Sequence, residues 1–217
     1  MDLALHEGFP PVVVEVWGDA ALFTRPEAKV ERLTYPVMTP SAAVGVLEAI
    51  FWKPEFRWQV AAIEVLAPIK EGRVRRNETT QVITREGALR GERVDTAQNR
   101  TQRAATILLN VRYRIHAHVV LHPHATDPVA KYRDQFRRRV ERGACFSTPY
   151  LGTREFAASF GPPTPIEPIG STGDLGVMLH SVVHGPDGRD PRSAWFTARL
   201  EEGVLHVPEQ GIFGGQG

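Results

Sequence analysis

The sequence predicts an α+β fold whose elements follow the order of a ferredoxin-like, or RRM-like, domain. Three features lead to this prediction. A strand, a capped helix and a strand occupy the first third of the chain, another strand and helix follow in the middle, and short strands separated by Gly and Pro come last. The order β-α-β and then β-α is that of the ferredoxin-like unit. We expect this domain to span residues 1–145, with a long basic β-hairpin insertion (thumb) at about 73–103, and a small antiparallel β subdomain to span 146–217.

Two apolar runs predict the first two strands. Val12–Trp17 is rich in β-branched residues and precedes Gly18-Asp19, which we expect to end the strand. Phe56–Leu66 contains Phe, Trp, Val, Ile and Leu and stops before Pro68, so it is expected to be the second strand.

A short apolar helix is predicted between these strands. Thr39 is a suitable N-cap, and Pro40 suits the first helical position because its missing N–H has no helical partner there. Ser41–Ile50 supplies the apolar residues, and Pro54 is expected to end the helix. The residues alone leave two interpretations open: a core helix behind an ordinary surface loop, or part of a functional surface.

The middle of the chain is strongly basic. Residues 73–154 contain 17 Lys and Arg against 7 Asp and Glu, although the whole chain has a net charge of only +1. This excess predicts a polyanionic partner, with a solvated charged face as the alternative. The segment 73–103 holds eight arginines and few large apolar residues. It is therefore interpreted as a protruding hairpin or functional loop, with a disordered insertion as the other interpretation.

Residues 113–121 alternate between apolar and polar side chains, which is typical of a strand with one buried face. Arg114, His116 and His118 share the polar face. The rise of a strand places the two imidazoles about 6.6 Å apart, beside a guanidinium.

The remaining elements are a basic helix and short strands. Val129–Arg142 is predicted to be a helix closed by Gly143. Beyond it, the clearest strands are Leu175–Val183 and Trp195–Val207, and the second run is expected to be a hairpin that turns at Glu202-Gly203.

Several kinds of site find no support in the sequence. Cys145 is the single cysteine, so no internal disulfide can form, which suits a reducing compartment. We find no Walker motif, no GxGxxG, and no ligand set that completes a metal site around His116, His118, His122 and His124. No apolar run reaches about 18 residues. We expect a soluble, cytoplasmic protein that needs no cofactor and no metal and does not enter a membrane.

Residues 23–58 read FTRPEAKVERLTYPVMTPSAAVGVLEAIFWKPEFRW. This segment resembles the signature of the CRISPR-associated Cas-five family in its type I-C form, which reads much like FTRPE-x-KVER-x-(S/T)Y-x-VM-x-PSAA-x-G-(I/L)-LEAI-x-WKP. Further matches follow in the family's order: Arg75-Arg76-Asn77-Glu78, Gln102-Arg103-Ala104-Ala105-Thr106, His116 with His118, Phe136-Arg137-Arg138-Arg139, and Leu151-Gly152-x-Arg154-Glu155-Phe156.

The resemblance implies a function in antiviral defence. Type I-C members look like endoribonucleases that cut the CRISPR repeat transcript and then hold the 5′ handle of the crRNA inside the Cascade surveillance complex. The implied partners are precursor crRNA, the backbone and large subunits of Cascade, and target DNA reached only through the complex. We also expect the insertion at 73–103 to grip RNA and a neighbouring backbone subunit.

RNA cleavage without a metal needs a base for the 2′-OH, an acid for the leaving 5′ oxygen and cations for the phosphate. His118, His116 and Lys53 can supply these groups. The resemblance places a tyrosine in the aromatic-Trp-Lys-Pro turn, where this chain has Phe51, and a lysine and a histidine on the strand at 113–121. We expect His118 to be the first catalytic candidate and His116 the second. The expected products end in a 2′,3′-cyclic phosphate and a 5′-OH.

The expected RNA-binding residues are polar and aromatic side chains of the signature and of the basic middle region. They are Arg25, Lys29, Arg32, Phe51, Trp52, Arg75, Arg76, Asn77, Arg100, Arg103, Arg114, Arg137, Arg138 and Arg154. The alternative function is a non-catalytic Cascade subunit that only caps and positions the crRNA 5′ handle. A generic RNA-binding module is a third interpretation.

Overall fold

The computed structural model describes residues 3–28, 31–79, 81, 83–93, 95, 98–183 and 191–213, which form nine strands and three helices. Along the chain these are β1 Val12–Ala21, α1 Pro40–Ile50, β2 Phe56–Val65, β3 Glu71–Thr79, α2 Arg85–Leu89, β4 Arg100–Leu121, α3 Val129–Arg142, β5 Ser159–Gly161, β6 Gly173–Val183, β7 Arg192–Glu201, β8 Val204–His206 and β9 Ile212–Phe213. The predicted combination of α and β structure, dominated by antiparallel strands, is confirmed. The ferredoxin-like assignment stays a prediction.

One nine-stranded sheet contains all the strands, in the order β5-β1-β4-β2-β8-β7-β6, with β3 on β4 and β9 on β7. The neighbouring strands pair antiparallel. The long strand β4 pairs with β3 along its first part and lies between β1 and β2 along its second part. Because β8 pairs with β2, the C-terminal strands extend the same sheet. The boundary drawn between residues 145 and 146 stays a prediction.

Helix α1 begins where the sequence predicts. The Thr39 hydroxyl accepts a hydrogen bond from the Ala42 N–H at 3.3 Å, and Pro40 is the first helical residue. The helix ends at Ile50, because Phe51 is already extended. Val46 and Leu47 of this helix are fully buried, each contributing about 1.5–3 kcal/mol of hydrophobic stabilisation.

Helix α3 also has its predicted bounds. Its apolar residues Tyr132, Phe136 and Val140 are spaced four apart and are all buried. Gly143 follows with a φ of 62°, the left-handed conformation that closes many helices. The helix thereby presents a buried stripe to the core and the exposed arginines 137 and 138 to solvent.

The predicted end of β1 at Gly18-Asp19 is wrong, because the strand continues to Ala21 and pairs with β4 throughout. Gly18 serves close packing here. A Cβ at this position would lie 2.8 Å from Cδ1 of Leu151 and 3.1 Å from the carbonyl oxygen of Ala157. The residues around 151 therefore sit directly on this strand.

Part of the basic segment is regular strand. Residues from Glu71 to Thr79 pair with Arg100–Leu108 of β4, and the helix α2 lies in the connection. We call this pair of strands, residues 71–79 with 100–108, the arm. Ile83 lies outside the strands, and Val82 lies outside the described residues.

Candidate functional site

One face of the arm is exposed and basic. Residues directly opposite each other share a face of a sheet, and here Arg75 faces Ala104, Asn77 faces Gln102, and Thr79 faces Arg100. All six side chains belong to exposed residues. Within the described part of the chain, Arg73, Arg75 and Arg100 form no ion pair, so their guanidinium groups are available to an anionic partner.

The other face of the arm is held by ion pairs. Arg32 Nε lies 3.1 Å from Glu78 Oε1, and Arg103 Nε lies 3.8 Å from Glu78 Oε2. Arg76 donates to Glu155 Oε2 at 2.8 Å. The predicted RNA-binding residues of the arm are therefore divided between an open face and a face that fixes the arm to neighbouring loops.

Phe51 and Trp52 are neighbours with opposite environments. Phe51 is 1% exposed, packs against Phe56 with ring centroids 5.5 Å apart, and lies under the Arg139 guanidinium at 5.4 Å. Trp52 is 53% exposed and Lys53 is also exposed. The turn therefore displays an indole and an ammonium group to solvent and uses Phe51 to anchor itself to the core.

Two histidines lie beside this turn, a position that the sequence did not predict. Nε2 of His124 lies 3.0 Å from the Pro54 carbonyl oxygen, and the rings of His122 and His124 stack with centroids 5.6 Å apart. The sequence analysis considered these residues only as metal ligands and found no complete ligand set around them. The antiparallel pairing of β2 with β4, which sets Phe56 opposite Leu121, is the signal that brings them to the turn.

The remaining predicted RNA-binding residues lie at separate places on the surface. Arg137 and Arg138 are exposed on α3, and Arg154 is exposed in the loop after it. Arg25 is half-buried, with its guanidinium 4.7 Å above the Tyr35 ring. Lys29 lies outside the described residues.

Arg114 is bound inside a charged network. Its Nη2 donates to Glu15 Oε1 at 2.8 Å and to the Thr164 carbonyl at 2.6 Å, and its Nη1 donates to Glu64. The carboxylate of Glu15 is completely buried and also accepts from Arg112 at 2.7 Å. This network joins β1, β2 and β4 to residue 164 and uses the donors of Arg114 inside the protein, so its role in RNA binding stays a prediction.

His116 belongs to the same network. Its Nε2 lies 2.7 Å from Oε1 of Glu64, and only 12% of its side chain is exposed. Burial lowers the pKa of His116, and the neighbouring Arg114 lowers it further, while the Glu64 carboxylate acts in the opposite direction. Because a carboxylate oxygen only accepts hydrogen bonds, the ring donates its Nε2 proton to Glu64.

His118 lies on the same face of β4 as His116 but contacts a different part of the protein. It is 6% exposed, and its ring centroid is 5.6 Å from that of His6 in the N-terminal segment. Burial lowers the pKa of His118, and the charges of His6 and Arg133 act in the same direction. Among the described residues, its Nδ1 has no hydrogen-bond partner.

The structure does not gather the three predicted catalytic residues at one point. His116 is tied to Glu64, His118 lies under residues 3–9, and Lys53 stands at the exposed turn. Within the described ranges, no hydrogen bond or ion pair joins Lys53 to either histidine. His118, His116 and Lys53 thus have separate surroundings, and the catalytic roles of all three stay predictions.

Residues 12–208 match a family model described as CRISPR-associated protein (Cas_Cas5). The chain belongs to this Cas5 family. It is 46% identical over 214 residues to a protein of Thermus thermophilus named CRISPR pre-crRNA endoribonuclease Cas5d, with 91% of each chain covered. A protein of Mannheimia succiniciproducens with the same name is 41% identical over 213 residues, covering 90% of this chain and 93% of that one.

Solved structures show the same fold at lower identity. A CRISPR-associated protein superposes with a TM-score of 0.66 at 24% identity, covering 91% of both chains. A chain of a CRISPR RNA-guided surveillance complex superposes with a TM-score of 0.53 at 14% identity, covering 94% of this chain and 91% of that chain. The antiparallel sheet of this Cas5 chain is therefore an architecture already seen in CRISPR-associated proteins.

Neither a cluster of metal ligands nor a membrane-spanning helix is found in the described ranges of the Cas5 chain. In the described ranges, no group of three or more His, Cys, Asp and Glu side chains is arranged to hold a metal ion. In the same ranges, no helix has both the length and the apolar character needed to span a bilayer.

Proposed function

We propose that this chain binds CRISPR repeat RNA and cleaves it as a metal-independent endoribonuclease, then retains the 5′ handle of the crRNA in a type I-C Cascade complex. The observation that carries the proposal is the 46% identity to a relative named CRISPR pre-crRNA endoribonuclease, over nearly the whole length of both chains. The geometry adds a surface of the required kind, because the open face of the arm displays to solvent arginines that form no ion pair with any described residue.

The RNA-binding surface of the proposal has three parts. The open face of the arm contacts phosphates through Arg75 and Arg100, and Asn77 adds an amide that can read a base edge. Trp52 offers an exposed indole on which an unpaired base can stack, and Lys53 beside it contacts phosphate.

The chemical step of the proposal is transesterification. His118 accepts the proton of the 2′-OH as O2′ forms a bond to phosphorus, and the bond from phosphorus to the 5′ oxygen breaks as that oxygen takes a proton from a general acid. This leaves a 2′,3′-cyclic phosphate on one product and a 5′-OH on the other. One proton-transfer group in position supplies about 10²–10⁴-fold in rate, which is sufficient for an enzyme that keeps its product.

A cleavage assay in EDTA tests the proposal. Purified protein is mixed in excess with repeat RNA, and the product ends are identified by their mobility before and after acid treatment. We expect cleavage at one position to persist in EDTA and to give a cyclic phosphate that acid opens. Cleavage that EDTA abolishes would contradict the metal-independent mechanism.

The alternative is a subunit that only caps the 5′ handle, and one observation favours it. Phe51, at the position where the family resemblance places a tyrosine, has no hydroxyl and is buried in an aromatic cluster. Tight binding of repeat RNA that stays intact under all conditions would support the cap. Equal binding of unrelated hairpins would instead support a generic RNA-binding module.

A further inference from the structure

Arg133 of α3 is a buried cation with an unused donor. It is 2% exposed, and its Nη2 has no hydrogen-bond partner among the described residues. Its guanidinium lies 5.0 Å from the ring of Phe9, and the charges that act on it are those of Arg137 and of Asp134, whose side chain is 60% exposed. A buried guanidinium is normally paired with an acid or saturated by hydrogen bonds, so this arrangement calls for an anion.

The turn that carries Phe9 also brings together two imidazoles with buried nitrogens that have no partner in the described residues. His6 and His118 have ring centroids 5.6 Å apart at an interplanar angle of 46°. Nδ1 of His118 and Nε2 of His6 are both buried without a hydrogen-bond partner in the described part of the chain. The nearest carboxylate oxygen to His6 Nε2 is that of Glu7 at 3.9 Å, too far for a hydrogen bond, and Glu209 acts on His118 only through its charge.

We propose that His6, His118 and Arg133 form one phosphodiester site, in which the two imidazoles exchange the protons of the cleavage step and Arg133 binds the phosphate oxygens. The inference rests on the proposed function and deepens it, since it names the second proton-transfer group and the phosphate ligand. It arises from the contact between the His6 ring and the buried His118 ring, and from the buried guanidinium of Arg133, which packs on Phe9 of the same turn as His6. Each of the three side chains has a buried nitrogen without a hydrogen-bond partner among the described residues.

The two imidazole rings alone provide both proton transfers of the reaction at this site. The neutral imidazole of one histidine accepts the 2′-OH proton as O2′ bonds to phosphorus. The protonated imidazole of the other donates a proton to the 5′ oxygen as its bond to phosphorus breaks. Each ring ends in the opposite protonation state, and solvent restores both. The guanidinium of Arg133 stabilises the additional negative charge on the phosphate oxygens in the transition state.

The N-terminal segment controls entry to the site. Residues 6–9 form a turn closed by two backbone hydrogen bonds between His6 and Phe9, at 3.0 and 2.9 Å. The His6 side chain is 31% exposed and Leu5 is 65% exposed, so the turn lies at the surface with His118 beneath it. Binding of RNA must move this turn outward far enough for a phosphate to pass between the two rings.

Single-turnover cleavage of repeat RNA in EDTA tests the roles of the side chains. We expect His6→Ala to lower the rate about 10²–10⁴-fold, and Arg133→Lys to lower it about 10²-fold, while both bind RNA within a few-fold of the parental protein. His206→Ala and Arg199→Lys, which change the same residue types at exposed positions, serve as controls with parental rates. Parental rates for His6→Ala and Arg133→Lys would overturn the assignment.

A substrate with sulfur in place of the scissile 5′ oxygen identifies the acid. A thiolate leaves without a proton, so this RNA should restore the rate of the variant that lacks the acid and leave the variant that lacks the base slow. A purely structural role of His6 predicts the same loss on both substrates. Restoration of neither His6→Ala nor His118→Ala would show that the pair does not divide the two proton transfers.

A binding measurement separates this inference from the proposed function. Repeat RNA with a 2′-deoxy residue at the cleavage position is added to the parental protein, and the imidazole NMR signals of His6 and His118 are followed. We expect both to shift, with the exposed His206 ring as the internal control. Unshifted rings overturn the site even where the RNA binds. Shifted rings in a protein that never cuts unmodified RNA would retain the phosphate site and overturn its cleavage role.

Discussion

Oε1 of Glu64 lies 2.7 Å from Nε2 of His116, and the other oxygen of this carboxylate accepts a hydrogen bond from Arg114. Glu64 thus stands between two groups of β4 that the sequence predicted to face RNA. Both are engaged inside the protein, and neither side chain is more than 13% exposed. The relationship ties the His116 ring to the sheet, whereas Nδ1 of His118 on the same strand has no hydrogen-bond partner among the described residues.

Replacing Glu64 should therefore affect folding before it affects chemistry. Glu64→Gln removes the charge between His116 and Arg114, and breaking one partner of a buried ion pair costs about 3–5 kcal/mol. Urea unfolding at neutral pH measures the loss. The matched control is Glu201→Gln, whose carboxylate is 59% exposed beside Arg199, and which should change stability by no more than about 0.5 kcal/mol. Equal stability of the two variants would contradict the structural role of the network.

The stability of the protein should depend on the ionisation of Glu15. Burial alone would raise the pKa of this carboxyl, but hydrogen bonds from the Thr164 N–H and from Arg112 and Arg114 outweigh it and lower the pKa from its ordinary value of 4.5. A carboxyl whose folded-state pKa is depressed stabilises the protein above its unfolded-state pKa and loses that contribution as the pH falls below it. We expect the unfolding free energy to decline as the pH falls below about 4.5.

The variant Glu15→Gln isolates this contribution. It should be less stable than the parental protein at neutral pH, and the difference should shrink on acidification, because the parental protein then loses the same charge. Unfolding curves in urea at several pH values supply the comparison. A difference that stays constant across the acid range would show that Glu15 acts through packing alone.

Local patterns were sufficient to predict α1, α3 and the polar face of β4. The Thr39 cap, the spacing of Tyr132 and Phe136, and the alternation around His116 depend on residues close together in the chain, and all are seen in the structure. The set of side chains that shares one face of the strand thus follows from periodicity alone.

Contacts between residues far apart in the sequence determine the side-chain environments that could not be predicted from the sequence. Arg114 binds Glu15, which is 99 residues away in the sequence, and His118 contacts His6, which is more than half the chain away. Neither contact can be recognised from a local sequence pattern. Phe51 and Trp52 are adjacent aromatic residues, and only the packing of α3 through Arg139 decides which of them is buried. The candidate site was therefore predictable as a list of residue types and not as an arrangement.

The pair Phe51 and Trp52 gives a direct contrast between anchoring and binding. Phe51→Ala should cost about 3–5 kcal/mol of stability, because it empties a buried aromatic position. Trp52→Ala should leave stability within about 0.5 kcal/mol, since the indole is exposed. It should instead weaken RNA binding by about 1–3 kcal/mol through the loss of one base stack. Thermal unfolding and filter binding on both variants decide the point, and weaker RNA affinity in a fully stable Phe51→Ala would contradict it.

Gly152 is expected to be intolerant of a side chain. Its φ is +86°, and a Cβ would lie 2.0 Å from the Leu22 carbonyl oxygen, so Gly152→Ala combines about 1–2 kcal/mol of backbone strain with a clash against main chain. Gly45 in α1 is the matched control, because nothing lies within 4 Å of its added Cβ and Gly45→Ala should stabilise the helix by about 1 kcal/mol. Opposite shifts of the melting temperature are the expected result, and a neutral Gly152→Ala would exclude the close contact.

The open face of the arm should contribute to the salt dependence of RNA binding. Arg73, Arg75 and Arg100 are exposed, and in the described part of the chain they form no ion pairs, so their contribution to RNA binding should be mainly the release of counterions from phosphate. Replacing all three by alanine should weaken binding of repeat RNA and reduce the slope of log affinity against log salt by about 2, at about 0.7 per phosphate contact. Titrations between about 50 and 200 mM salt provide the slope. Arg199→Ala, a change of one exposed arginine on β7, should leave both quantities near their parental values. An unchanged slope in the triple variant would remove the arm from the RNA interface, whatever the absolute affinity.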